Sequence, residues 1–150
     1  MTTIAYANGV LAGDACSWSG PCRRRVRKVF HVPAKGCRGF LVGFAGDGTF
    51  AISVLAWMRG QAERPNCHDF IKPDDLQMQC AIVIDERHRI WGLNYALRYT
   101  PSLERIFAFG AGHEFAWGAL EAGATAAQAV RIAIKRSDYA GMGVHTVRFV

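Results

Sequence analysis

A threonine stands second in the chain, ahead of Thr3 and Ile4. A side chain as small as that of Thr2 lets a cytosolic aminopeptidase remove Met1. The mature chain would then carry a hydroxyl and a free α-amine on one residue. An α-amine has a pKa near 8, so part of it is neutral at physiological pH and can take the hydroxyl proton. Nucleophile and base would belong to the same residue, with no histidine or cysteine partner. Two further sets could carry charge chemistry. Asp14, just after Gly13, and Lys28 could meet in a partly buried place, either as a structural ion pair or as a device that tunes a neighbouring nucleophile. Gly46-Asp47-Gly48 could aim backbone N–H groups at an anion, although a plain tight turn is the simpler reading. No Lys-Ser/Thr follows these glycines, so they do not form a phosphate loop.

Other chemistries find little support. His31, His68, His88, His113 and His145 are scattered, with no i, i+4 pair, no H-E-x-x-H and no G-x-S-x-G elbow. Cys16, Cys22, Cys37, Cys67 and Cys80 form an odd set without a C-x-x-C pair, and read as free thiols. The spacing of Cys22, Cys37, Cys67 and His68 fits no usual zinc pattern, so neither a metal nor another cofactor is expected. Much of the net charge of +6 lies in Arg23-Arg24-Arg25-Val26-Arg27-Lys28. Without interleaved aromatics that run reads as a solvated loop leading into a strand rather than as a nucleic-acid patch. Apolar residues make up 51% of the 150 residues and charged residues 20%, which points to a single folded domain over 1–150. No apolar run approaches the roughly 20 residues of a membrane helix. The start of the chain lacks the features of a secretory signal, so a cytoplasmic protein without membrane contact is expected.

The elements that would position these residues follow from local pattern. Residues 3–7 and 10–13 are β-prone runs joined by Asn8-Gly9, the favoured pair for a type I′ hairpin turn. A loop rich in Ser, Gly, Pro and Cys is expected over 15–22. A strand is expected over 26–32, its alternation setting Val26, Lys28 and Phe30 on one face. The apolar run 40–45 suits a buried strand that ends in the Gly46-Asp47-Gly48 turn. A helix over 49–59 would bury Ala51, Val54, Leu55 and Met58. Residues 63–77 read as loop with at most one helical turn. A second hairpin pairs 80–84 with 89–93, and 106–109 is a short strand ending in Gly110-Ala111-Gly112. Helices are expected over 114–121, stopped by Gly123, and from Thr125 to near Asp138, with Gln128 at the capping-box position. A last strand covers 144–149. Strand runs separated from helix runs indicate packed layers of antiparallel sheet and helix, an α+β arrangement.

Taken in order, Thr2-Thr3-Ile4, Gly13-Asp14, Arg27-Lys28-Val29 and Gly43-Phe44-Ala45-Gly46 resemble the proteasome β-subunit and HslV-like family of N-terminal-nucleophile (Ntn) hydrolases. The match is good from Thr2 to about Met58 and looser through 80–93 and 109–139. The resemblance implies a four-layer αββα sandwich, here with the second helix shortened, since little helical pattern lies between 63 and 77. It also implies roles. Thr2 would be the nucleophile, with its α-amine the base. Lys28 would hold the amine's pKa down, Asp14 would orient Lys28 and the terminus, and the Gly46 N–H would form the oxyanion hole.

The chain departs from the family in several places. A family serine before the third helix is Ala111 here, and a second supporting serine falls on Ala140. The accompanying aspartate falls on Ser137, with Asp138 one place away, which leaves Ser137 and Asp138 as the supporting candidates. A second glycine after Gly46 is Asp47, which adds a charge close to the site. The resemblance implies a threonine peptidase subunit in a homo-oligomeric ring that takes unfolded polypeptide or peptide, with a regulatory AAA+ ATPase implied in turn. A catalytically weak or inactive structural relative and a small-amide amidase remain the alternatives.

Overall fold

The computed structural model describes residues 2–138 and 140–150. The chain opens with β1 (Thr3–Ala7) and β2 (Val10–Asp14), joined at Asn8 and Gly9, whose φ values of 50° and 79° are those a type I′ turn requires. β3 (Cys16–Ser19) and β4 (Cys22–Arg25) form a second hairpin. β5 (Val29–Ala34) and β6 (Cys37–Phe44) lead into α1 (Gly48–Met58). Two single 3₁₀ turns, Cys67–Asp69 and Pro73–Asp75, are the only helical structure among the described residues between α1 and β7 (Gln79–Asp85). β8 (Ile90–Asn94), β9 (Tyr99–Ser102) and β10 (Phe107–Gly110) follow. The chain ends with α2 (His113–Glu121), α3 (Ala126–Arg136) and β11 (Val144–Arg148).

All strand pairing is antiparallel. One sheet runs β10-β1-β2-β11, another β5-β6-β7-β8-β9, and β3-β4 stands apart. β1 is buried on both faces, and its alternation sorts side chains by size. Ile4 and Tyr6 join Leu11, Leu41, Ile82, Ile84 and Ile90 in a core between the two large sheets. Ala5 and Ala7 face the other way, where their small size lets α2 and α3 approach through Ala116, Leu120, Ala129, Val130 and Ala133. A third core sets Phe50, Val54 and Leu55 of α1 against Val32, Val42, Phe44, Val83 and Leu93 of the five-stranded sheet. Each of the larger side chains buried here contributes roughly 1.5–3 kcal/mol by removal from water.

Several expectations are corrected. Residues 15–22 are not a loop: Cys16–Ser19 pairs with Cys22–Arg25, so the basic run begins on a strand. The following strand starts at Val29, not at 26, and Val26, Arg27 and Lys28 lie outside the ladder. Lys28 is therefore buried without belonging to an alternating strand face. β9 was not expected from the sequence. The helix starting from Thr125 forms as expected: the Thr125 side chain accepts from Gln128 N–H, and Gln128 reciprocates on the Thr125 N–H. Among the described residues no helix is long and apolar enough to cross a membrane.

Candidate active site

Four residues at or beside strand ends form the candidate site. Thr2 precedes β1, Asp14 closes β2, Lys28 precedes β5 and Gly46 lies between β6 and α1. Asp14 is fully buried, and its carboxylate is the organising group. Lys28 Nζ stands 3.0 Å from Oδ1 and 3.1 Å from Oδ2. The backbone N–H of Thr3 donates to Oδ1 at 2.8 Å, and those of Cys16 and Gly141 donate to Oδ2 at 3.1 and 3.2 Å. One carboxylate thus fixes Lys28, the first strand of the chain and the approach to β11. Burial pushes the Lys28 pKa below its ordinary value, against the pull of Asp14 in the other direction.

Thr2 is itself only 8% exposed, and its backbone is held from the far side. Gly110, at φ 95°, lies so close to the Thr2 carbonyl that any Cβ there would overlap it. Only glycine lets β10 approach the start of β1 this closely. Gly46 has the same property on the other side of the cleft. Its φ of 91° is one that glycine adopts without strain, and a Cβ there would run into the Tyr95 hydroxyl.

Tyr95 was not singled out by sequence reasoning. Its hydroxyl accepts a hydrogen bond from the Asp47 N–H at 3.2 Å, and so pins the turn next to Gly46. Burial raises its pKa, which keeps the phenol neutral. Nothing local in the sequence marks it, because the bond spans 48 residues. Asp47 is less of an intruder than its charge suggested. Its Oδ1 accepts from Phe50 N–H at 2.7 Å, so the carboxylate caps α1, where the helix dipole favours a negative charge.

Thr2, Lys28, Gly46, Tyr95 and Ala111 line one open cleft of about 860 Å³. Asp14 sits behind Lys28 rather than on the cleft wall. The two supporting candidates follow α3. Ser137 is the half-buried C-cap of α3, its N–H donating to Ala133, and Asp138 is exposed; neither lines the cleft. A few residues further on, the Gly141 N–H donates to Asp14 Oδ2.

Solved structures share the fold that carries this cleft. The chain superposes on BPH of Thiobacillus denitrificans with a TM-score of 0.67 at 20% identity, over 99% of this chain and 98% of that one. The fold is that of the proteasome-like Ntn hydrolases. HslV from Trypanosoma brucei shares the proteasome-like fold with a TM-score of 0.63 at 16% identity, over 97% of each chain. An Anbu (Gly-1) mutant from Hyphomicrobium sp. strain MC1 shares it with a TM-score of 0.71 at 14% identity, over 99% of this chain and 81% of that one. BPH has also been solved in complex with epoxomicin. No protein-family model and no curated protein sequence matches the chain.

Proposed function

We propose that the chain is a threonine-type endopeptidase subunit whose nucleophile is Thr2, exposed by removal of what precedes it. The observation that carries this reading is Lys28: a buried cation, locked to a fully buried carboxylate, that borders the same cleft as Thr2 and Gly46. A buried ion pair adds little to stability by itself, so its place on the cleft that Thr2 also lines favours an electrostatic role.

The chemistry balances with these groups alone. Thr2 Oγ1 attacks the peptide carbonyl carbon while its proton passes to the α-amine of Thr2. The oxygen of the tetrahedral intermediate takes up negative charge beside the Gly46 N–H. The C–N bond then breaks, and the ammonium returns its proton to the departing amine. Water, deprotonated by the same α-amine, hydrolyses the ester left on Thr2 and restores the hydroxyl. Lys28 keeps the amine partly neutral by disfavouring a second positive charge beside it. Asp14 acts through Lys28 and through the Thr3 N–H, and is a positioning residue. Tyr95 holds the turn that presents Gly46.

Two coarser inferences go with the site. The three cores are best understood as separating four layers, αββα, within one domain spanning 1–150, with 3₁₀ turns where a second helix would lie. The shared shape of HslV and BPH supports a homo-oligomeric ring acting on unfolded polypeptide.

Hydrolysis of fluorogenic peptides by protein that begins at Thr2 tests the mechanism. Thr2→Ala should abolish turnover while leaving the thermal melt unchanged. Cleavage that persists in Thr2→Ala would overturn the assignment. A wild type that begins at Thr2 yet cleaves nothing would leave an inactive relative of the same fold.

A further inference from the structure

Part of the basic run that the sequence assigns to a solvated loop, Arg24 and Val26 to Lys28, lines the cleft. Arg24 stands opposite Ser17 in the β3–β4 ladder, and Arg27 follows three residues on. Both side chains are exposed, and both line the cleft that contains Thr2. Among the described residues neither is paired with a carboxylate. Among the described residues no Asp or Glu lines the cleft, and the third cation there, Lys28, has its counter-charge in Asp14. Below this cationic rim the wall turns apolar through Val26, Phe30, Phe44 and Leu55. Trp18, beside Arg24 on the same hairpin, lies under the Arg23 guanidinium at 5.8 Å.

We propose that this cleft selects acidic peptides: an apolar side chain enters the Val26–Phe30–Phe44–Leu55 wall while a neighbouring Glu or Asp is held by Arg24 and Arg27. The inference rests on the peptidase reading for the cut, but not for the binding. Two unpaired guanidiniums at the rim of a concave, partly apolar site attract carboxylates more strongly than they would on an open surface, because the low-dielectric walls focus their field. A carboxylate can also engage a guanidinium with two parallel hydrogen bonds. The apolar wall suits a peptide side chain better than a nucleic-acid backbone, which would need an extended basic track.

Three fluorogenic peptides test this, identical except for Glu, Gln or Lys beside a leucine at the cleavage point. The expected order of kcat/KM is Glu above Gln above Lys, with roughly a five- to tenfold step between Glu and Gln, as for two partly exposed ion pairs. The step should shrink toward unity as NaCl is raised from about 0.05 to about 0.5 M. In Arg24→Gln/Arg27→Gln the Glu-to-Gln ratio should fall to about one.

Fluorescence anisotropy with Thr2→Ala protein and the labelled Glu and Gln peptides reads binding without turnover. Tighter binding of the Glu peptide, lost in the double arginine variant, supports the proposal. Equal binding of the two overturns it, while cleavage of the Gln peptide by wild type would leave the peptidase reading intact. Selective binding by a wild type that cleaves none of the three would keep the acidic site and remove the peptidase. A single-stranded oligonucleotide that binds more tightly than the Glu peptide, through the same arginines, would also overturn it.

Discussion

Asp14 shows how much one residue can organise. It is fully buried, it neutralises Lys28, and it accepts three backbone N–H groups from separate parts of the chain. Asp14→Asn keeps the shape and removes the charge, which leaves Lys28 buried without its counter-ion. The expected cost is about 3–5 kcal/mol, or a fall in Tm of roughly 10 °C for a domain of this size. The pH dependence has a definite sign. Burial already lowers the Lys28 pKa, and loss of Asp14 lowers it further, so the unfolded state binds more protons below the ordinary lysine value. Stability of the variant should therefore rise relative to wild type as pH increases from about 7 toward 10. Thermal melts across that range check this; a variant that tracks wild type at every pH would contradict the buried pair. The residues of this site were legible in the sequence as a set because their order along the chain resembles a known family. Their individual types were not enough, since Met-Thr starts and Asp/Lys pairs are common. Tyr95 was not legible, because its contact with Asp47 joins the end of β8 to the start of α1 and leaves no local trace.

At the scale of elements, what succeeded and what failed have clear physical causes. The first hairpin and α3 were readable because their signals are local: a positive-φ Asn-Gly turn and a reciprocal Thr125–Gln128 cap. The β3–β4 hairpin was missed because its signal is not apolar alternation. Apart from Cys16 it is built of half-buried or exposed residues, and its Arg side chains hide the ladder that joins Cys16 to Arg25 and Ser19 to Cys22. β9 was missed for a related reason. It is one of the two edge strands of the five-stranded sheet and contains Pro101, which a central strand would not accept. The expected start at 26 for the next strand was too early because Lys28 is drawn inward by Asp14, not by a strand face. Its neighbour Val29 begins the ladder, paired with Gly43.

At the scale of the molecule, alternating large and small side chains on β1 let one strand serve two cores at once. Outside the cleft, Leu103 on a loop and Phe115 and Ile132 on the helices expose apolar side chains, and the test of the proposed ring is mass. Light scattering at micromolar concentration should give a mass several times 16.5 kDa, and a monodisperse 16.5 kDa particle would contradict the ring. The central claim, that Thr2 supplies both nucleophile and base, is tested most directly by intact-mass and peptide mapping after treatment with a peptide epoxyketone. Such a reagent reacts with a hydroxyl and an adjacent free amine together, so the adduct reports the complete nucleophile. The account predicts one adduct, on the peptide that begins with Thr2, and none in Thr2→Ala. Protein that begins at Thr2 and remains unlabelled, or an adduct that survives in Thr2→Ala, would contradict it.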